Sequence, residues 1–220
     1  MRRRLIATLI CGILTFSLYS CANTQKDSVE VASTANARVE EKIIEGTWAK
    51  DYTKDEITSF HNNIITKVED LTKIYELEYE KKERVKEENG ETVNSNEIYV
   101  DNLNPEPNRL ESMYYGFKIY GSDLSQGQII LKIGFNLDSK LIKENDEFDF
   151  EETSIASYSE AVTGRSDRDY TELNNKIYSV IKGDSTEHTI ENNLDGIIET
   201  ININDDYLLY KLETKKYQFK

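Results

Sequence analysis

The sequence predicts an α+β domain: an N-terminal helix, an antiparallel sheet, one or two short helices and a closing hairpin. Three observations favour this class. First, a helix-capping sequence precedes apolar residues at helical spacing. Second, segments in which apolar and polar residues alternate lie on both sides of an Asn-Gly turn. The chain then ends in two alternating segments around a second polar turn.

The clearest element is a helix, predicted over residues 54–71. Thr53 and Glu56 stand three positions apart, as in a capping box, where each side chain bonds the other residue's backbone. Apolar residues then recur every three or four positions. They are Ile57, Phe60, Ile64, Ile65, Val68 and Leu71. This stripe indicates a helix with one buried face.

Four antiparallel strands are predicted after the helix. In residues 74–80, tyrosine and leucine alternate with glutamate, which is typical of a strand with one solvent face. Asn89-Gly90 is a hairpin signal. The three further strands are expected at 91–100, 113–120 and 128–136, with a turn region at 121–127 before the last. A helix followed by such strands resembles the element order of cystatin-like folds, in which a sheet wraps one helix.

The second half of the chain gives weaker signals. The acidic segment 144–152 is interpreted as a short edge strand or loop, and 163–167 as a turn. A short helix capped by Asp169 or Thr171 is expected, and a second short helix after it. The first would carry Leu173, Ile177 and Ile181, and the second Ile190, Leu194 and Ile197. The closing hairpin is expected to pair 201–203 with 207–212 around a turn at 204–206.

The N-terminal residues have the composition of an export signal. Three arginines, residues 2–4, precede an apolar run of about 15 residues, fewer than the roughly 20 that span a bilayer. Leu18-Tyr19-Ser20-Cys21 follows. This tetrapeptide resembles the lipobox of bacterial lipoproteins, although Tyr19 stands where a small residue is usual. A plain signal peptide with a chance cysteine is the competing interpretation.

The resemblance implies that the signal is cleaved between Ser20 and Cys21. The Cys21 sulfur would then carry diacylglycerol and its amino group a further acyl chain. Each buried CH₂ contributes about 0.8 kcal/mol, so two or three chains attach a protein durably to a membrane.

The same features predict the organisation of the chain. We expect a signal peptide at 1–20, a flexible acylated tether at 21–42 and a single folded domain at 43–220. Two packed subdomains, 43–137 and 138–220, are the alternative.

Composition limits the possible partners. Loss of residues 1–20 removes three arginines and no acid, so the net charge changes from −14 to −17. This charge argues against nucleic acid, which lysine and arginine must neutralise, and it leaves the acyl chains as the contact with the membrane. With Cys11 in the signal and Cys21 acylated, no thiol remains for a disulfide. The Asn, Ile and Lys bias, together with the loose lipobox, resembles spirochaetal surface lipoproteins.

No residue pattern indicates a cofactor, a metal or a catalytic group. The two histidines, His61 and His188, lack the spacing of a zinc motif and are interpreted as ordinary surface or boundary residues. Residues 191–202 imitate a calcium-binding loop up to the glycine at its sixth position. The final ligand position, however, is Asn202, which cannot supply the bidentate carboxylate. A plain turn or helix end is therefore preferred.

Tyrosine is the most suggestive side chain, with 14 copies. Such residues on a sheet face can bind proteins, since the ring gives contact area at low entropic cost. Those on predicted strands are Tyr75, Tyr79, Tyr99, Tyr114, Tyr115 and Tyr120. The plainer interpretation is that tyrosine fits half-buried sheet positions. Trp48 is expected in the core.

The expected function is that of a lipid-anchored, non-enzymatic protein of the cell envelope, in the outer membrane or at the cell surface. It would be a surface antigen or bind a host or envelope protein. The outer face of the cytoplasmic membrane is the alternative location. A carrier of a small apolar ligand between helix and sheet, and an enzyme with an unrecognised site, are the alternative functions.

Overall fold

A computed structural model describes residues 53–103, 105–120, 126–204, 206–214 and 217–218. The lipobox, the tether and Trp48 lie outside these described residues. The predicted α+β class is confirmed: in the described residues a helix is followed by antiparallel strands, three more helices and closing strands.

Helix α1 spans Lys54–Ile74 and begins at the predicted cap. The Thr53 hydroxyl accepts from the Glu56 backbone N–H, and the Glu56 carboxylate accepts from the Thr53 N–H at 2.8 Å. The apolar stripe turns inward, since Ile57 and Val68 are fully buried. A local sequence signal therefore places the first helix correctly.

The strand predicted at 74–80 is wrong in its first half. The helix continues to Ile74, and Glu76 follows in the left-handed region at φ 55°. Backbone N–H groups of Glu76 and Leu77 donate to Lys73 and Thr72 and complete the helix end. Extended backbone begins only at Tyr79, because the preceding residues form the end of the helix.

Strands β1 (Tyr79–Glu88) and β2 (Glu91–Asp101) form the predicted hairpin. Asn89 and Gly90 have φ values of 52° and 81°, as a type I′ turn requires, and Glu88 pairs with Glu91 across it. Strands β3 (Leu110–Tyr120) and β4 (Gln126–Asn136) continue the antiparallel meander. These strands are longer than predicted but fall in the expected order.

The edge strand or loop expected at 144–152 is only partly correct. Helix α2 (Ser139–Asn145) ends inside this segment, where Asp146 caps it in the left-handed region, and no strand follows it there. The loop buries Phe148 and Phe150 in the core. Helix α3 (Ser154–Thr163) was not predicted; Gly164 is its C-terminal cap residue. The turn expected at 163–167 thus begins at the C-terminal cap of α3.

Helix α4 spans Thr171–Lys182 and confirms the first of the two short helices. Tyr170 is its N-terminal cap residue and gives no side-chain bond, whereas Asp169 accepts from the Thr171 N–H at 2.9 Å. The second short helix is wrong. Its residues form strands β5 (Thr189–Leu194) and β6 (Ile197–Asn204), which are joined at Asp195-Gly196.

The closing hairpin is confirmed, with β6 pairing β7 (Tyr207–Thr214). The sheet order is β1-β2-β3-β4-β7-β6-β5, and the short β8 (Tyr217–Gln218) also pairs β4. Because β4 pairs β7, one sheet joins residues of both 43–137 and 138–220.

The hydrophobic core lies on one face of this sheet. Side chains of α1, α2, α3 and α4 meet inward-facing side chains of β2 to β7 in one continuous cluster. Alternation along the strands assigns each residue to a face: in β2, Ile98 and Val100 point to the core, and Glu97 and Tyr99 point away. We call the face opposite the helices the outer face.

Candidate functional site

The predicted lipidation site at Ser20 and Cys21 lies outside the described residues and stays a prediction. The other residues singled out in the sequence fall on the described domain. The structure separates them into core positions, a hairpin and the outer face.

His61 is a correction to the sequence interpretation, because it is a core residue and not a surface or boundary one. It lies on α1 with 0% exposure, and its ring stacks on Phe117 at a centroid distance of 4.4 Å. Burial disfavours the charged imidazolium and lowers the pKa of His61 to about 4. At neutral pH the ring is therefore an uncharged packing element.

His188 lies beside strand β6. Its Nδ1 is 3.1 Å from the carbonyl oxygen of Ile203. Within the part of the chain that the structure describes, no group of three or more His, Cys, Asp or Glu side chains could hold a metal ion.

The calcium-like segment 191–202 is a β-hairpin and not a loop that wraps an ion. Asp195 and Gly196 occupy its turn with φ values of 58° and 90°, and the Asn193 side chain accepts from the Gly196 N–H at 2.7 Å. Alternation sends Glu191 and Asn193 to the outer face and Asn192 to the core. The residues that imitate calcium ligands therefore do not converge.

The predicted strand tyrosines divide into three groups. Tyr115 is fully buried in the core, Tyr79 donates to Glu69 of α1, and Tyr75 lies at the end of α1. The rest lie on the outer face of the sheet. They are Tyr99, Tyr114 and Tyr120.

Glu97 forms the centre of this outer-face group. Its carboxylate accepts from Tyr99 at 2.7 Å and from Tyr114 at 3.4 Å, and the Arg84 Nε lies at 3.1 Å. Burial acts to raise the pKa of Glu97, but the Tyr99 hydrogen bond and the Arg84 charge outweigh it and lower the pKa. The carboxylate is thus held ionised and orders both phenols.

Cations and a glycine complete the arrangement. Lys82 Nζ lies 5.0 Å from the Tyr99 ring centroid, and the Arg84 guanidinium carbon lies 5.9 Å from it. The Tyr114 ring covers Gly116, where an added Cβ would lie 2.4 Å from the phenol oxygen. We call Lys82, Arg84, Glu97, Tyr99 and Tyr114 the tyrosine cluster.

A second feature is a buried ion pair that sequence reasoning missed. Glu199 has no exposed surface, and both its oxygens accept from Arg168 at 2.5 Å. Tyr210 donates to Glu199 at 2.8 Å, and Asn192 at 2.7 Å. Burial acts to lower the pKa of Arg168, but bonding to Glu199 raises it overall. These contacts tie the α3–α4 loop to the sheet.

A third feature is a cleft at the end of α1, also unforeseen. It has a volume of about 520 Å³ and is lined by the helix end, the β2–β3 loop and the start of α3. Ile74 lines it and is 71% exposed, and Leu103 in the β2–β3 loop is 82% exposed. Its residues are distant in sequence, so no motif could have revealed it.

Helices within the described ranges include none that is both long and apolar enough to cross a membrane. Comparisons of the chain with protein-family models, with curated proteins and with solved structures give no match.

Proposed function

We propose that this protein is a bacterial lipoprotein of the cell envelope, anchored through acyl chains on Cys21, whose acidic domain binds another protein and is not an enzyme. The Leu18-Tyr19-Ser20-Cys21 sequence supports the anchor. The outer membrane or cell surface is the proposed location, and a host or envelope protein is the proposed partner.

One observation carries the binding role, namely the tyrosine cluster on the outer face. Its phenols are ordered in advance by Glu97, so a partner would not have to immobilise them. Tyrosine and arginine together are typical of the residues that dominate protein interfaces. The described helices lie on the other face of the sheet and leave the cluster accessible.

The packing gives less support to the alternative of an apolar-ligand carrier. That function needs a cavity between α1 and the sheet. The space holds Ile57, His61 and Val68, all fully buried, with His61 stacked on Phe117. The ring and aliphatic side chains fill the position where such a ligand would lie.

Metabolic labelling tests the anchor. Cells that express the chain are given labelled palmitate, and the protein is isolated. We expect Cys21→Ala to remove the label, whereas Cys11→Ala, the matched control inside the signal, should retain it. Label on the Cys21→Ala protein would refute the lipobox interpretation.

Site-specific photo-crosslinking in intact cells tests the binding face. A photoreactive phenylalanine replaces Tyr99 in one variant and Tyr178, a comparably exposed tyrosine on α4, in a control. We expect a discrete adduct with one protein from Tyr99 alone. Equal adduct patterns from both positions would refute the proposed face. Protease treatment of the same cells reports whether the domain faces the outside.

A further inference from the structure

The cleft beside Ile74 has the features of a peptide-binding site, and it is separate from the tyrosine cluster. Ile74 is the last residue of α1, and it lines both this cleft and a second cleft of about 530 Å³ between α1 and α3. A partner that covers this isoleucine, which is 71% exposed between the two clefts, would gain hydrophobic free energy. Leu77 and Leu110 also line the first cleft and add apolar side chains to its wall.

The charge around Ile74 is predominantly negative, although Arg109 lines the first cleft and Lys67 lines the second. Glu76, Glu106 and Glu152 line the first cleft, and Glu160 lines the second. Within the described residues none of these four carboxylates forms an ion pair, although many other acids of the domain do. Among the described residues that line the first cleft, Arg109 is the one that is basic, so negative charge predominates there. Such a surface complements a cationic segment.

The cleft also contains an unused hydrogen-bonding group. The Ser154 Oγ at the start of α3 is buried and has no hydrogen-bond partner among the described residues. Buried polar atoms in native proteins are nearly always paired, so an unpaired one beside an open cleft points to a missing partner. Because this oxygen is buried, the Ser154 side chain must rotate before a peptide carbonyl in the cleft can accept from its hydroxyl, close to the positive end of the α3 helix.

The walls of the cleft are fixed before any partner arrives. Tyr75 donates to Ser157 at 2.9 Å, which joins the end of α1 to α3. Asn102 donates to the Leu110 carbonyl at 3.0 Å and closes the β2–β3 loop. Glu76 is held in the left-handed region, a conformation that few residues other than glycine adopt. Fixed walls lower the entropic cost of binding.

From these observations we propose that the Ile74 cleft binds an extended protein segment in which an apolar side chain is flanked by lysine or arginine. The apolar side chain covers Ile74, the cations meet Glu76 and Glu152, and a backbone carbonyl accepts from Ser154. This partner chemistry follows from the cleft alone and does not depend on the tyrosine cluster.

Photoaffinity labelling of the full chain tests the proposal. The probe is a capped Lys-Leu-Lys-Leu-Lys peptide in which a diazirine-bearing analogue replaces one leucine. Two unlabelled peptides compete with it, namely capped Lys-Leu-Lys-Leu-Lys and capped Lys-Ser-Lys-Ser-Lys. Mass spectrometry locates the labelled residues. We expect label within residues 70–77, 102–110 or 152–166, with at least tenfold weaker competition by the serine peptide. Label spread evenly over other acidic surfaces would overturn the proposal.

Two pairs of variants sharpen the test. Ile74→Asp should reduce labelling at least tenfold, whereas Val85→Asp, at a residue 72% exposed on β1, should not change it. The double variant Glu76→Gln, Glu152→Gln should reduce labelling. The control double variant Glu172→Gln, Glu187→Gln removes the same amount of charge near α4 and should not. Circular dichroism checks that each variant folds. Equal losses within either pair would overturn the proposal.

Self-association is the other possible use of this surface. Sedimentation of the unlabelled chain, with and without Ile74→Asp, measures it. If the chain forms a dimer and Ile74→Asp dissociates it, the occupant of the cleft is a second copy of the chain, which would contradict the proposal. A sedimentation coefficient that the substitution leaves unchanged supports it.

Discussion

Buried His61 should make the stability of this protein depend on pH well above the range in which carboxylates titrate. The pKa of the ring is about 4 in the folded state, against 6.5 for an unperturbed histidine. Between these values the unfolded chain binds a proton that the folded chain excludes. Acidification therefore favours unfolding, and stability rises with pH across this window.

The magnitude follows from the two pKa values. At pH 7 the effect of His61 on the free energy of unfolding is small, because the ring is largely neutral in both the folded and the unfolded chain. At pH 5 the unfolded chain is almost fully protonated there and the folded chain is not, which costs about 2 kcal/mol relative to pH 7. At still lower pH the loss approaches a limit of about 3 kcal/mol. That is a large share of the 5–15 kcal/mol typical of a domain.

The experiment compares the protein with its His61→Phe variant. Phenylalanine keeps a flat ring against Phe117 but cannot titrate. Urea unfolding followed by circular dichroism gives the free energy of unfolding at pH 7 and pH 5. We expect a loss of about 2 kcal/mol in the wild type that is absent in the variant. Equal losses in both proteins would refute the assignment of the effect to His61.

Carboxylates act in a lower pH range and need not obscure this result. Glu69 accepts hydrogen bonds from Lys81, Tyr79 and Lys73, which lower its pKa to about 2. The contribution of Glu69 to the free energy of unfolding is present above its unperturbed pKa and is lost as the pH falls from about 4.5 towards 2. Most of the Glu69 contribution is therefore retained at pH 5, and the comparison with His61→Phe isolates the effect of this histidine.

Three further predictions concern named contacts. Arg168→Met should destabilise the fold by about 3–5 kcal/mol, because it leaves the Glu199 carboxylate buried without its cation; adding Glu199→Gln should recover part of that loss in urea unfolding. Thr53→Ala should cost about 1 kcal/mol through loss of the α1 cap, while Thr53→Ser should cost less. Gly90→Ala should cost about 1–2 kcal/mol by thermal melting, since φ is 81° there although no atom would clash; an unchanged midpoint would contradict the type I′ turn.

Local signals account for the elements that were predicted correctly. The cap of α1, the Asn89-Gly90 turn and the closing hairpin each depend on residues close together in sequence. Helix α3 escaped prediction because it is buried on most of its surface, with Ile155, Tyr158 and Val162 all below 2% exposure. A helix covered on several sides has no single apolar stripe for periodicity to detect.

The error over 190–197 has a different cause. Ile190, Leu194 and Ile197 fit helical spacing, but Ile190 and Leu194 also lie on the same face of a strand, four residues apart. Asp195-Gly196 is a strong hairpin signal that should have outweighed the helical pattern. A short apolar set is compatible with both periods, and the turn residues then decide between them.

Sequence by itself determined the α+β class, the first helix, the central hairpin and the closing hairpin, since short-range sterics and capping bonds specify them. It also provides the whole basis for the anchoring proposal at Cys21. Tertiary structure decided what remained: that His61 is buried, that Arg168 meets Glu199, and that Ile74 stands exposed between two clefts. Each of these depends on contacts between elements far apart in the chain, which no local pattern encodes.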